Sequence, residues 1–457
     1  MSPHTGFDRR AFLKSAGMAA LAGTACSGTS AQTPARGAVA RLEDSRFDFD
    51  TIYDRIGTDC SKWDAQIAKY GRGNIAVPMG TADQDFKIAP VITRALRERI
   101  EHENYGYLTI PTSYLESIVD WNSRRHGLEI DPGLLLHADG VHPALISALR
   151  AFCPPGSKVL LMAPVYSGFY TDIRIVGCQA EESPMALVNG RYAIDFDDLE
   201  RRIDHDTHAL MLCNPQNPTG NVWSRADLTR LGEICTQRRV VVLSDEIHCD
   251  FVSDGHTYTP YATLDDESVV RNSVSFKSAS KSFNLSAMKC AYMYSTNGDH
   301  ISRITAAGQH RQSMNTLGVV AAQAAYDHGE EWQRHVGAYI DGTLDYAESF
   351  IETHLPLVEL VKPEGTYLGW LDVSGVVDAI GAEETAADIN RNRAESASDV
   401  TPEEIVQQYL VEHAQVLLNP GSLYGFGGAG RMRMNLATSR QLVELALTNM
   451  ARALEHL

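Results

Sequence analysis

Between about residue 90 and residue 300 the chain alternates two kinds of apolar pattern. In Lys158-Val-Leu-Leu-Met-Ala-Pro164, His208-Ala-Leu-Met-Leu-Cys-Asn214 and Val240-Val-Val-Leu-Ser-Asp-Glu-Ile247 the apolar positions run without a break. Such runs predict strands buried on both faces. Asn272–Phe276 and Cys290–Tyr294 fit two more. Helical spacing fills the gaps. Pro90, a good first-turn residue, opens a helix through Arg94, Leu96 and Ile100. Ser113-Tyr-Leu-Glu116 reads as a capping box for a second helix that stops at Gly127. Val141–Phe152 and Tyr166–Val176 read as helices, and Ser224 caps another that reaches Arg239. Buried strands alternating with helices predict an α/β fold, a three-layer sandwich around a mostly parallel central sheet. After Asp299 a long helical region passes His310 and Gln323 and ends near Phe350. From about Val358 to Leu457 strands and helices mix, as in a smaller α/β domain.

The expected division is a small domain built from 47–86 and 326–457 around a large domain at 87–325. Residues 381–401 are polar, without apolar rhythm, and read as a surface insertion. There is no internal repeat. A chain of 457 residues with 44% hydrophobic positions can bury a large core. Its net charge of −18 argues against a nucleic-acid partner, which needs a basic face, and against adhesion to anionic membranes. The eight cysteines are scattered with no CxxC pair, so neither a metal site nor a disulfide framework is expected. The N-terminal segment 1–31 stands apart. Asp8-Arg9-Arg10-Ala11-Phe12-Leu13-Lys14, followed by a mild Ala/Gly/Leu stretch, resembles a twin-arginine export signal. That implies the twin-arginine translocation machinery as a partner and a periplasmic destination, with 32–46 as linker. The stretch is too short and weak to span a membrane. Cys26 raises lipidation as an alternative, against which Gly23 stands where a lipobox has Leu.

Three short segments carry the chemistry: Asn214-Pro-Gln-Asn217-Pro-Thr-Gly220, Ser244-Asp245-Glu246-Ile247-His248 and Ser278-Ala-Ser-Lys281-Ser-Phe-Asn284. Each follows or ends a predicted strand, which is where an open α/β sheet places its ligands. Together they offer an amide, a carboxylate and a lysine. Pyridoxal 5'-phosphate needs a lysine amine for its aldehyde, a carboxylate for its ring nitrogen, donors for its phenolic oxygen and helix N-terminal amides for its phosphate. Lys281, Asp245, and Asn217 with His248 fit the first three needs. Gly140-Val141, opening a helix, fits the fourth.

These segments, with Ala82-Asp-Gln-Asp-Phe86, Tyr105-Gly-Tyr107, Pro164-Val-Tyr166 and Leu418-Asn-Pro-Gly-Ser-Leu-Tyr-Gly425, resemble the fold-type-I pyridoxal-phosphate enzymes of the class I/II aminotransferase superfamily. The resemblance covers about residues 47 to 457 and is greatest to the cystathionine β-lyase-like C–S lyase branch. Most aminotransferases of the superfamily have Tyr where this chain has His248. The resemblance implies that Lys281 joins the cofactor and is the catalytic base, that Asp245 pairs with the ring nitrogen, that Asn217 bonds the phenolic oxygen and that Tyr166 stacks on the ring. Ser278 and the amides of Gly140 and Val141 are implied to hold the phosphate. Tyr107 is implied to reach the phosphate in a neighbouring subunit, hence a homodimer, and Arg433 to clamp the carboxylate of an amino acid substrate, with Arg431 the alternative clamp. The implied reaction is α,β-elimination from a sulfur-bearing L-amino acid.

Four departures bear on the substrate. Gly80 stands where the branch usually has Trp, so a wider mouth and a bulky substrate are expected. Asp139 brings a carboxylate to the phosphate loop, and Lys289 is placed to offset it. Ala437-Thr-Ser-Arg440 replaces the usual Cys-Pro-Arg-Ser. Two other activities stay open. An aminotransferase uses the same residues. Ser278-Ala-Ser-Lys281 with Ser313-Met-Asn315 is formally a serine acyltransferase pattern, but the chain has no Lys-Thr-Gly to complete it.

Overall fold

The computed structural model describes residues 47–308, 314–394 and 398–457. The segments read as an export signal and linker, Ser313 and part of the polar insertion lie outside the described residues. Residues 47–457 hold together as one compact unit. In chain order its strands are β1 (Val77–Pro78), β2 (Leu135–Ala138), β3 (Lys158–Ala163), β4 (Gln179–Pro184), β5 (Ala186–Val188), β6 (Arg191–Ala193), β7 (Thr207–Cys213) and β8 (Val241–Asp245). They continue with β9 (Ser273–Lys277), β10 (Ala291–Tyr294), β11 (Glu359–Val361), β12 (Leu368–Asp372), β13 (Val416–Leu417), β14 (Asn419–Pro420) and β15 (Arg431–Asn435).

Seven strands form the central sheet in the order β2-β10-β9-β8-β7-β3-β4. The pairs from β9 through β4 are parallel, and β10 runs antiparallel to both its neighbours. The continuous apolar runs have the expected cause. Along β7, Ala209, Met211 and Cys213 enter one core cluster while Leu210 and Leu212 enter the other. Side chains alternate across a strand, so a sheet covered on both faces needs apolar residues at every position. One cover includes the helix Val141–Phe152, the other the helix Arg225–Gln237. An antiparallel sheet, β11-β12-β15-β14, lies in the C-terminal part of the chain.

Most predicted helices are present. Gly127 ends the second with φ 59°, a left-handed conformation that glycine takes without a Cβ penalty. Ser224 Oγ accepts from Asp227 N at 3.0 Å. Four expectations are corrected. The helix Thr112–His126 starts one residue ahead of Ser113, after Pro111, and no side chain caps it. Ser113 therefore lies inside the first turn, where its hydroxyl faces Gln323. The third predicted strand stops at Asp245, because Glu246 turns into the core to accept from Ser244, Tyr258 and the Tyr261 amide. The strands β2 and β4 had not been expected. β4 is the polar edge strand Gln-Ala-Glu-Glu-Ser-Pro, and an edge strand with solvent on one side carries no apolar run. Within the polar segment, Ala382–Asn392 is a helix. It buries only Ala382 and Ala386, residues too small to show as a hydrophobic stripe. Among the described residues no helix is long and apolar enough to cross a membrane.

Candidate active site

The C-terminal ends of β3, β7, β8 and β9 lie at one rim of the sheet, and the loop after β2 joins them because Ala138 pairs with Ala291 beside Lys277. That rim carries Gly140, Tyr166, Asn217, Asp245 and Lys281. Open α/β sheets bind ligands at this edge, where several loops converge on one crevice.

Lys281 sits on the short helix Ala279–Ser282, directly after β9. Its Nζ donates to the Ala82 carbonyl at 2.6 Å. Burial, and the positive charges of Arg433 and Lys289, bring its pKa down to about 8 against the pull of Asp83 and Asp245. A lysine so placed gives up its proton near neutrality, as a base must. The loop 82–86 is clamped to the lysine segment. Gln84 Nε2 donates to the Lys281 carbonyl at 2.6 Å, and Asn284 Nδ2 donates to the Gln84 carbonyl at 2.9 Å. Asp250 fixes the helix from behind by accepting from Ser282 Oγ, and His126 Nε2 lies 3.1 Å from the same carboxylate.

The loop has its own anchor. Lys62 Nζ meets Asp85 at 2.6 Å, with only 1% and 3% of the two side chains exposed, while Arg55 binds both Asp83 and Asp85. Burial alone pushes the Asp85 pKa up, but Lys62, the Trp63 indole and Arg55 together hold it below the ordinary value. Removing one member of a buried pair strands its partner. Lys62→Met is expected to cost about 3 kcal/mol in urea unfolding, the low end of the usual range because Arg55 remains. Lys62→Arg should cost less.

Asp245 is buried at the end of β8 and receives the Ile247 amide at 3.1 Å. Burial raises its pKa to about 7, opposed by His142 and Lys281. A carboxyl in this condition fits a cationic N–H partner such as a pyridinium. Asn217 Oδ1 accepts from Arg433 Nη1 at 3.0 Å, which leaves the amide NH2 as donor. His248 is buried with Nδ1 unpartnered, and its ring stands edge-on to Tyr367 at 5.4 Å. Burial, with the charges of Lys281 and Arg433, holds it well below the ordinary histidine pKa, hence neutral. At the helix Val141–Phe152 no side chain caps Gly140, so its first amides are open to an anion. Asp139 Oδ1 is buried there without a partner, and burial raises its pKa.

Arg433 lies on β15, buried, with Nη2 donating to the Gly80 carbonyl at 2.7 Å and its Nε unpartnered. Arg431 is paired instead with Asp372 at 2.9 Å. Tyr107 is fully exposed and touches none of these groups within the chain. Ser278 stands at the start of the Lys281 helix. Its hydroxyl donates to the Cys290 carbonyl at 2.7 Å and accepts from the Ser280 amide at 3.0 Å. Through these two bonds Ser278 braces the turn that carries Lys281. It does not bond Lys281 itself, which leaves the serine acyltransferase pattern without its Ser–Lys contact.

The expected wider mouth at Gly80 is also corrected. A Cβ built there would collide with Asn419 Oδ1, so the Asn419 side chain already fills the space beside Gly80. Gly80→Trp alone is expected to raise KM about tenfold by displacing Asn419 and, through the Gly80 carbonyl, Arg433. Adding Asn419→Ala should recover most of that loss, a coupling of about 1 kcal/mol. Strictly additive effects in the double variant would refute the contact.

Sequence reasoning missed His142 and Asp172. His142 Nδ1 lies 2.7 Å from Asp172 Oδ2, and Nε2 lies 3.1 Å from the Tyr166 hydroxyl. Neither residue belongs to a motif, and only the Gly140 loop's role hinted that His142 would face the site.

The donor set fits pyridoxal 5'-phosphate: uncapped helix amides for the phosphate, a buried carboxyl for the ring nitrogen, an amide for the phenolic oxygen and a lysine at its low-pKa rim. Comparison with known proteins agrees. Residues 75–449 match the family model "Aminotransferase class I and II". The chain is 35% identical to cystathionine beta-lyase PatB of Bacillus subtilis, over 89% of this chain and 99% of that protein. It is 29% identical to protein MalY of Escherichia coli, with the same two coverages. Among solved structures it is similar to cystalysin of Treponema denticola, which contains pyridoxal 5'-phosphate (TM-score 0.80, 26% identity, 90% of this chain and 99% of that one). It is also similar to the pyridoxal-phosphate-bound C-S lyase of Staphylococcus hominis (TM-score 0.78, 27% identity, 89% and 98%). With a family model spanning most of its length and a curated relative matched almost end to end, this chain belongs to the class I and II aminotransferase family.

Proposed function

We propose that the protein is a pyridoxal-phosphate-dependent C–S lyase that eliminates a thiol from the β-carbon of a sulfur-bearing L-amino acid. The observation that carries this reading is the 35% identity to a cystathionine beta-lyase across 99% of that enzyme's length. The site supports it. Arg433 receives the substrate carboxylate bidentately, held ready by Asn217 and the Gly80 carbonyl. Asp245 holds the ring nitrogen, Asn217 and His248 meet the phenolic oxygen, and Tyr166 covers one face of the ring. The amides of Gly140 and Val141 take the phosphate. When bound, pyridoxal phosphate draws electrons from the substrate's α-carbon and makes its proton removable. Lys281 Nζ takes that proton and can return one to the departing sulfur. For L-cystathionine the balanced outcome is homocysteine, pyruvate and ammonia, with one water consumed.

The test is to supply purified protein with L-cystathionine and pyridoxal phosphate and to assay thiol, pyruvate and ammonia. Equal release of all three supports elimination. Amino-group transfer that depends on an added 2-oxo acid, without thiol release, identifies an aminotransferase instead. The exposure of Tyr107 suits a residue that completes a neighbouring subunit's site, so the working form is a homodimer, to be measured by light scattering. Arg9-Arg10 supports export to the periplasm. Replacing both with Lys should retain the protein in the cytoplasmic fraction, and unchanged fractionation would reject export by this route.

A further inference from the structure

The environment of His142 is built rather than incidental. Its ring lies 5.5 Å from the Tyr166 ring, and its two nitrogens are both engaged, one by Asp172 and one by the Tyr166 hydroxyl. Asp172 comes from the helix Gly168–Ile175, where its side chain is only 3% exposed. A carboxylate so deep in the helix face needs a partner, and His142 is the partner the structure supplies. Gly168 makes the room. A Cβ at that position would collide with both the His142 and the Tyr166 rings. A bare backbone at 168, a carboxylate at 172 and an imidazole at 142 therefore act together on the aromatic residue at 166.

The charged groups facing His142 are Asp172, Asp245 and Lys281. Its hydrogen bond with Asp172 dominates and raises the imidazole pKa, Asp245 adds to this, and burial and Lys281 oppose it. Asp172 is itself raised by burial, the bond to His142 working against that. His142 and Lys281 draw the Asp245 carboxyl down from the height burial alone would impose, while the more distant charge of Asp172 pushes it up.

We propose that Asp172 and His142 form a positioning pair that fixes the Tyr166 ring over the cofactor and supplies positive charge beside Asp245. The inference rests on the pyridoxal-phosphate reading of the site. Neither residue is a catalytic residue. His142 acts through Tyr166 and Asp245, and Asp172 acts through His142. With Nδ1–H donated to Asp172, Nε2 accepts from the Tyr166 hydroxyl when the ring is neutral and donates to it when the ring is protonated, and either bond orients the phenol. The charge of protonated His142 favours the anionic carboxylate that a protonated ring nitrogen requires.

The test uses the full protein and the variants His142→Asn, Asp172→Asn and Asp172→Glu. In the protein freed of cofactor, the His142 ring is titrated by NMR, its resonance assigned by loss in His142→Asn. An inflection above the ordinary histidine range that drops by about half a unit or more in Asp172→Asn supports the pair. An ordinary inflection unmoved by Asp172→Asn overturns it. The affinity for added pyridoxal phosphate is then measured against pH by quenching of protein fluorescence. The acid limb of that profile should move to higher pH in His142→Asn, and by less in Asp172→Asn, because the carboxylate lost there itself raises Asp245; Asp172→Glu should lie nearer the parent. A uniform loss of affinity at every pH, with the limb unmoved, is the mark of a merely structural role and overturns the proposal. If the parent protein takes up no pyridoxal phosphate at all, the cofactor reading fails and the role toward Asp245 fails with it. The ring titration separates that failure from failure of the pair itself.

Discussion

Lys281→Ala should lower kcat by on the order of 10²–10⁴-fold, the usual contribution of a positioned base. That corresponds to roughly 3–5 kcal/mol of barrier. The measurement is thiol release from L-cystathionine with cofactor in excess. The expected size follows from the site. Lys281 is the lysine at the rim that burial and neighbouring cations bring down to about 8, and its Nζ is already aimed by the Ala82 carbonyl at 2.6 Å. Fold and cofactor pocket should survive, because the turn around Lys281 is braced by Ser278, Ser282 and Asn284, none of which depends on the lysine side chain. Small primary amines added to the Lys281→Ala protein should restore part of the rate, since the space left by the side chain admits them. Turnover within tenfold of the parent would mean that another group is the base.

Asp245→Asn is the second large effect, and it has two independent readouts. In catalysis it removes the charged partner of the ring nitrogen. Truncating one side of a buried charged hydrogen bond costs about 2–5 kcal/mol, so kcat/KM should fall between roughly thirtyfold and several thousandfold. The other readout needs no cofactor. In the cofactor-free protein burial lifts the Asp245 carboxyl to about 7, whereas an unfolded chain titrates near 3.9. Between those values the folded protein keeps a proton that the unfolded chain has released. Stability from this group is therefore present at low pH and is lost as pH rises through the window, by at most about 1.4 kcal/mol per pH unit. Asparagine does not titrate. The stability of Asp245→Asn relative to the parent, followed by urea unfolding, should rise from pH 4 to pH 7 and then level off. A difference that does not vary with pH would show that the carboxyl is ionised throughout.

The central sheet was legible because its strands are buried on both faces, which forces apolar residues at consecutive positions. The site residues Asn217, Asp245 and Lys281 were legible for a related reason. Each stands at the end of such a run, and parallel neighbours bring those ends to one rim. Features without a local signature were not legible. The edge strand β4 is polar, the helix Ala382–Asn392 buries only alanines, and Ser113 looked like a cap until Pro111 moved the helix start. The bond by which Ser278 ties the Lys281 turn to Cys290 joins residues twelve apart and has no local signature either.

The chemistry available could be read from residue order: a lysine, a carboxylate, an amide and a helix start, in an arrangement that matches one family. It did so because each requirement is met by residues close together in the chain, next to a strand whose pattern is local. The tertiary structure alone decided how those groups are tuned. Asn419 fills the space beside Gly80, Arg433 from β15 reaches Asn217, and Asp172 reaches Tyr166 through His142. These contacts join different elements, and it is the packing of those elements that removes water from Asp245 and Lys281 and sets their charge.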